Sequence, residues 1–153
     1  MKQLVVATSN PGKLEEMQTY LADLDCELVL KPPELEVEET GTSFRENAQL
    51  KAKTIAQALG KCAIADDSGL AVSALNGAPG IYSARYAPTD EERIARLLRE
   101  LENTSNRAAE FICAVAIALP DGTIALERER SCKGEILTTP RGNNGFGYDP
   151  VFY

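Results

Sequence analysis

The 153-residue chain contains no histidine, and it has only four cysteines. Without histidine, the chain cannot build a zinc site with Cys/His spacing, nor use Ser-His-Asp or Cys-His nucleophilic catalysis. The cysteines form no CxxC pair, and each lies beside apolar or β-prone residues. We therefore expect buried free thiols in a reducing compartment. They are Cys26, Cys62, Cys113 and Cys132.

Basic residues and long hydrophobic runs are also few. There are 16 Lys and Arg against 23 Asp and Glu, a net charge of −7, which argues against a nucleic-acid-binding surface. A small anionic ligand is still compatible with this charge, because a local cationic pocket can exist on an acidic protein. No run approaches the roughly 20 apolar residues of a membrane span, and the N-terminus is too short in apolar residues for a signal peptide. We expect a cytoplasmic protein that binds neither nucleic acid nor membrane.

Hydrophobic residues make up 44% of the sequence, enough for the core of a single domain over residues 1–153. Apolar runs predict strands at residues 4–7, 26–30, 62–65, 108–119 and 123–132. Helical stripes and capping residues predict helices after Asn10, from Ser43 to Gly60 and after Thr89. Residues 70–75 are interpreted as a hairpin partner of strand 62–65. The order βαβ, then a helix, then mostly strands predicts an α/β sheet.

Residues 151–153 end the sequence with an apolar, strand-like segment. A domain seldom ends on an uncovered strand edge. We expect that the C-terminal part of a longer protein is missing from this sequence.

Thr8 to Lys13 connect the first strand to the first helix. A helix N-terminus directs free backbone N–H groups and the positive end of its dipole at such a turn, and Lys13 adds a full charge. This arrangement favours an anion site, although the sequence is not a Walker A loop. The alternative is that these residues only form the turn and cap the helix.

Asp66 and Asp67 follow a predicted buried strand, where adjacent side chains point to opposite faces. At most one of them can share a ligand with a partner, and Glu38 or Glu39 could supply that partner. Two carboxylates with water completing an octahedron are a usual way of holding Mg²⁺. The alternative is that these acids are solvated or cap a helix.

Asn47 and Lys51 are four residues apart on the second predicted helix and share one face of it. In the functional interpretation Lys51 points to the acidic residues and neutralises a phosphate, with Asn47 positioning it. In the alternative interpretation both side chains belong to a solvated face.

The segment 145–150 contains two glycines, two aromatic residues and an acid. Glycines permit a close backbone approach to a ligand, and an aromatic face can stack on a base. The same pattern would also suit a tight turn with a core phenylalanine.

Five of these segments occur in an order that resembles the inosine/xanthosine triphosphate pyrophosphatases, which remove deaminated purine nucleotides. They are residues 8–13, 39–48, 65–70, 77–86 and 145–150. The resemblance covers essentially the whole chain. It implies a long mixed β-sheet with flanking helices, two lobes around a deep cleft and a homodimer. It also implies Mg²⁺-dependent hydrolysis of ITP, dITP or XTP to the monophosphate and pyrophosphate.

The resemblance assigns roles to individual residues. Asp67 would be the general base and, with Glu39, a metal ligand. The chemistry of phosphoryl transfer adds that Lys13 and Lys51 would stabilise the transition state. The substrate would be bound by Thr8, Ser9, Asn10, Pro11, Gly12, Lys13, Ser68, Phe146, Gly147, Tyr148 and Asp149. The family continues past residue 153 with a lysine and a Ser-His-Arg element that grip the purine, and neither is in this sequence.

Two other functions are compatible with the sequence. One is the septum-formation-inhibitor type of nucleotide pyrophosphatase, which acts on other modified bases. Segments 66–69 and 145–150 favour the first family over it. The other is a truncated fragment that binds nucleotides without hydrolysing them.

Overall fold

A computed structural model describes residues 2–8, 11–21, 26–142 and 148–153 of the chain. Within these ranges the strands are β1 (Lys2–Val6), β2 (Cys26–Leu30), β3 (Cys62–Val72), β4 (Ala108–Ala118) and β5 (Ile124–Glu135). The α-helices are α1 (Pro11–Tyr20), α2 (Phe44–Leu59) and α3 (Asp90–Glu100). Short 3₁₀ helices cover Ser73–Leu75, Gly80–Arg85 and Asp149–Val151.

The five strands form one sheet in the order β2-β1-β3-β4-β5. Strand β1 is parallel to both β2 and β3, pairing Val5 with Val29 on one side and with Ala63 on the other. A short turn joins β4 to β5, where the Leu119 N–H donates to the Thr123 carbonyl at 2.8 Å. The predicted class, an α/β protein with a mixed sheet and helices, is confirmed.

The chain divides into two compact units. The first unit is Met1–Asp67 with Ala114–Glu129, and the second is Ser68–Cys113 with Arg130–Tyr153. The first unit has a core around Leu4, Val6 and Ile64. The core of the second unit consists of Leu70, Val72, Tyr86, Ile94, Leu97, Leu101, Ala109, Ile136, Tyr148 and Val151.

The predicted capping residues begin and end the helices as expected. Ser43 Oγ accepts the Glu46 N–H at 3.1 Å, and Gly60 ends α2 in the left-handed region at φ 64°. Glycine suits that position because it has no Cβ to clash there. Thr89 caps α3 in the same way as Ser43 caps α2. The Glu46 carboxylate accepts the Thr42 N–H at 2.7 Å.

The prediction of a hairpin partner at residues 70–75 was wrong. Strand β3 continues without interruption to Val72, and the chain turns only in the following 3₁₀ helix. Leu70 and Val72 are both 0% exposed and belong to the core of the second unit. Burial of these alternate residues favours extension of the strand over an early turn.

The strand-like end at residues 151–153 is confirmed in part. Asp149–Val151 forms a 3₁₀ turn, but Phe152 bridges antiparallel to Ile136, and the Tyr153 N–H donates to the Glu135 carbonyl at 2.9 Å. Pro150 has a fixed φ and no N–H to donate, which favours a turn over a ladder. No described helix is both long and apolar enough to cross a membrane.

Candidate active site

Two adjacent carboxylates on β3 are each paired with a different lysine. Asp66 and Asp67 are both 8% exposed. Lys13 Nζ lies 2.6 Å from Asp66 Oδ2, and Lys51 Nζ lies 3.8 Å from Asp67 Oδ1. Different partners are what opposite-facing strand neighbours predict. Lys13 reaches Asp66 from the first turn of α1, and Lys51 reaches Asp67 from α2.

Lys51 also contacts Glu39, so one ammonium group joins two carboxylates. Its Nζ donates to Glu39 Oε1 at 3.1 Å. The three side chains are largely shielded, with exposed fractions of 16% for Lys51, 29% for Glu39 and 9% for Asp67. In such surroundings charges interact more strongly than at the surface. Lys51 therefore points to the acidic residues, and the solvated-face interpretation is wrong for it, while its role toward a phosphate stays a prediction.

Burial is the main influence on the acidity of Asp67. It raises the pKa of this carboxyl from an ordinary 3.8 to about 6. The Lys51 charge lowers the pKa and the Glu39 charge raises it, and the Asn47 side chain favours the charged form. A carboxyl with a pKa near 6 can accept a proton close to neutral pH, which is the requirement for a general base.

One oxygen of Asp67 is left without a partner. Asp67 Oδ2 is buried and makes no hydrogen bond within the described ranges, and the buried Asn47 Nδ2 makes none there either. The Asn47 amide acts on Asp67 from nearby, although its geometry falls short of a hydrogen bond. An unsatisfied buried carboxylate oxygen is costly, and a bound cation would satisfy it.

The donor set suits a hard cation held together with a substrate. In the described ranges, no three Cys, Asp or Glu side chains converge on one metal position. Mg²⁺, however, is usually bound by one or two carboxylates plus substrate phosphates. Glu39 and Asp67, which meet at the same ammonium group, provide such a pair.

The predicted phosphate-binding turn is described in part. Ser9 and Asn10 lie outside the described residues, whereas Thr8 is half-buried at the end of β1. Pro11 and Gly12 are the first two residues of α1. The helix therefore begins where the sequence predicted, with proline at its first position.

The remaining predicted substrate residues belong to the second unit. Phe146 and Gly147 lie outside the described residues, and Ser68 is half-buried. Tyr148 is buried, and its OH donates to the Ser83 carbonyl at 2.8 Å. Burial raises the pKa of Tyr148 to about 12, so it remains a neutral donor. Asp149 opens the last 3₁₀ helix.

Known proteins match the chain along nearly its whole length. The family model described as the Ham1 family matches residues 4–153. The chain belongs to the Ham1 family. Two similar proteins are both named dITP/XTP pyrophosphatase. The one from Nostoc sp. is 66% identical over 99% of this chain and 78% of its own length. The one from Synechocystis sp. is 63% identical over 100% of this chain and 79% of its own.

A solved Ham1 structure gives the same fold. The HAM1 protein from Coxiella burnetii is 44% identical, with a TM-score of 0.90 over 100% of this chain and 82% of that chain. The Staphylococcus aureus Ham1 protein gives a TM-score of 0.88 at 45% identity. The α/β architecture described above is therefore that of Ham1 proteins.

Two features of this Ham1-family chain were not predicted from the sequence. The first is the pairing of Lys13 with Asp66, which depends on residues 53 positions apart. The second is Lys31, which is 8% exposed and whose buried Nζ makes no hydrogen bond to any residue that the structure describes. A lysine before two prolines at a strand end is typical of an exposed turn, so no sequence signal indicates its burial.

Proposed function

We propose that this protein hydrolyses non-standard purine nucleoside triphosphates, namely ITP, dITP and XTP, to the monophosphate and pyrophosphate. Membership of the Ham1 family and the dITP/XTP pyrophosphatase names of two relatives support this reaction. The structural observation that carries the proposal is the position of Lys51 between the carboxylates of Glu39 and Asp67. It combines a base, a candidate metal site and a phosphate-binding charge in one place.

Asp67 is the general base in this proposal. Its pKa of about 6 in the metal-free protein permits it to accept a proton from a water molecule near neutral pH. Asp67 Oδ1 lies 3.8 Å from Lys51 Nζ, and the unpaired Oδ2 is the oxygen that remains to take up the proton or to bind a metal ion. No covalent intermediate is needed, in keeping with a chain that has no histidine.

Glu39 and Asp67 would hold Mg²⁺. When bound, the ion would neutralise charge that develops on the phosphate oxygens. Lys51 would exchange part of its contact with the two carboxylates for a phosphate oxygen. Lys13, paired with Asp66 at the start of α1, would add a second positive charge at the turn after β1.

The residues that would contact the rest of the substrate are those predicted from the sequence. Thr8 to Lys13 would bind the phosphates, Ser68 would contact the substrate, and Phe146 to Asp149 would form one wall of the nucleotide pocket. We further propose that the protein acts as a homodimer in the cytoplasm.

Pyrophosphate release from ITP, dITP, XTP, ATP and GTP, measured with Mg²⁺ and with EDTA, tests this function. We expect Mg²⁺-dependent release of pyrophosphate from ITP, dITP and XTP and none in EDTA, and the rates with ATP and GTP measure how far these 153 residues discriminate between purines. Pyrimidine analogues in the same panel distinguish the related pyrophosphatases that act on other modified bases.

Three other results would count against the proposed function. Release of orthophosphate in place of pyrophosphate would contradict the reaction class. Faster hydrolysis of modified pyrimidines would favour the alternative family. Binding of ITP with no hydrolysis would identify a nucleotide-binding fragment, provided that the protein unfolds cooperatively.

A further inference from the structure

Asn47 is a fully buried amide on α2, with 0% exposure. Its Oδ1 accepts a hydrogen bond from the Gly41 N–H at 2.7 Å. Because a backbone N–H can only donate, the oxygen end of the amide must face Gly41, and the Nδ2 end must point elsewhere. The protein itself therefore fixes the orientation of this side chain.

The Gly41 backbone lies so close to Asn47 that an amino acid with a Cβ would not fit at position 41. A Cβ atom at position 41 would lie 2.7 Å from Asn47 Oδ1 and 2.8 Å from Glu46 Cβ, both inside van der Waals contact. Glycine is therefore required here for close approach. Since Glu39 is two residues before Gly41, the hydrogen bond restrains the backbone that carries the Glu39 carboxylate.

The other end of the amide acts on Asp67. Asn47 Nδ2 and Asp67 Oδ2 are both buried, and neither has a hydrogen-bond partner in the described part of the chain. Asn47 lies one turn before Lys51 on α2, and Lys51 Nζ lies 3.8 Å from Asp67 Oδ1, which brings the Asn47 amide to the Asp67 side of the helix. In keeping with this position, the Asn47 side chain lowers the pKa of Asp67. Asn47 thus has a donor, and Asp67 an acceptor, that no other described group uses.

We infer that Asn47 is a positioning residue whose amide ties the segment of Glu39 and Gly41 to Asp67 and so fixes the spacing of the two carboxylates. The inference rests on the proposed function, which makes these two carboxylates the metal ligands. Lys51 lies one helical turn after Asn47 and contacts the same two carboxylates. Helix α2 therefore acts on this pair from two positions, through the charge of Lys51 and through the Asn47 amide, which is hydrogen-bonded to Gly41.

The test is the binding of Mn²⁺, a paramagnetic probe for the Mg²⁺ site. Binding is measured by electron paramagnetic resonance, with and without a non-hydrolysable α,β-methylene triphosphate of inosine. The variant is Asn47→Leu, which keeps the side-chain volume and removes both polar ends. The matched control is Gln49→Leu on the same helix, whose amide bonds instead to Glu127 on β5. Urea unfolding gives the folded fraction of each protein.

We expect Asn47→Leu to raise the dissociation constant of Mn²⁺ by at least about tenfold, as loss of a group that orients metal ligands commonly does. Gln49→Leu should leave it within about twofold, even if its stability falls. A purely structural Asn47 would change stability without changing the affinity of the folded protein. Equal Mn²⁺ affinity in folded Asn47→Leu and in the wild type would therefore overturn the inference.

A second variant covers the case in which Asn47→Leu does not fold. Gly41→Ala places a Cβ against Asn47 Oδ1 and breaks the same link from the other side. Weakened Mn²⁺ binding in Gly41→Ala supports the inference, and unchanged binding overturns it. A wild type that neither binds Mn²⁺ nor releases pyrophosphate refutes the proposed function as well. A wild type that does both, beside variants that bind equally well, refutes only the role of Asn47.

Discussion

The two compact units differ in how their buried polar groups are satisfied. The described part of the first unit buries Lys31, Asn47, Asp66 and Asp67, and all of these except Asp66 have a side-chain atom without a hydrogen-bond partner there. In the described part of the second unit, Ser83 is a buried polar residue. Its Oγ accepts the Leu70 N–H at 2.9 Å and donates to the Gly80 carbonyl at 2.6 Å.

Under the proposed function, this difference separates Asn47 and Asp67, which would serve a ligand, from Ser83, which serves the fold. A buried polar atom without a partner costs about 1–3 kcal/mol of stability. Proteins retain such costs mainly at functional sites, where a ligand supplies the missing partner. The unsatisfied atoms of Asn47 and Asp67 belong to the candidate site, whereas Ser83 stabilises the scaffold of the second unit.

The largest effect should come from Asp67→Asn in the first unit. We expect turnover of ITP to fall by about 10²–10⁴-fold, because the amide cannot act as a base and is a poorer metal ligand. Stability should not fall, since the substitution removes a buried charge. Steady-state kinetics and urea unfolding measure the two quantities. Glu38→Gln is the matched control, because Glu38 is an exposed neighbour of Glu39 and should leave turnover unchanged.

An Asp67→Asn protein with a lower unfolding midpoint and retained activity would contradict the assignment of Asp67 to the candidate site. Asp67 would then be a structural residue, and the contrast between the two units would disappear.

In the second unit, Ser83→Ala should reduce stability and not turnover. We expect the free energy of unfolding to fall by about 1–3 kcal/mol, because the buried Leu70 N–H loses its acceptor. Turnover per folded molecule should not change. Urea titration monitored by circular dichroism measures the loss. Ser131→Ala on the exposed part of β5 is the control and should stay within about 0.5 kcal/mol of the wild type. A Ser83→Ala protein as stable as this control would show that the two hydrogen bonds of Ser83 Oγ do not stabilise the second unit.

The smallest effect concerns the pH dependence of stability in EDTA. The folded pKa of Asp67, about 6, lies above its ordinary value of 3.8. The folded state therefore binds the Asp67 proton more tightly than the unfolded state does. The contribution of this proton to the free energy of unfolding is lost as pH rises through the window from about 4 to 6. The stability advantage of Asp67→Asn over the wild type should therefore grow between pH 5 and 7.5, by on the order of 1 kcal/mol. An advantage that is equal at both pH values would refute the raised pKa.

Much of the local structure was predictable from the sequence. Ser43, Gly60 and Thr89 determine helix ends through contacts a few residues apart, and the predicted bounds agree with the structure. Strand β2 also has its predicted bounds, Cys26–Leu30. The extension of β3 to Val72 was not predictable, because it depends on burial of Leu70 and Val72 against residues distant in sequence.

The candidate site was predicted as a set of residue types but not as a set of pairs. From the sequence, Asp67 and Glu39 were recognised as acidic residues and Lys51 as a basic residue in suitable segments. The structure brings the three side chains together. The partner of Lys13 and the two ends of the Asn47 amide were not predictable. Each of them depends on which strand or loop lies beside which helix.

The sequence by itself determined the absence of histidine chemistry, the helix caps and the order of the motifs, since these are properties of composition and near neighbours. Only the tertiary structure decided that Asp67 is buried and that Lys51 joins it to Glu39. It alone also left Asp67 Oδ2 without a partner. The physical reason is that burial, pKa and pairing depend on groups brought together from distant parts of the chain, and short-range patterns carry no information about them.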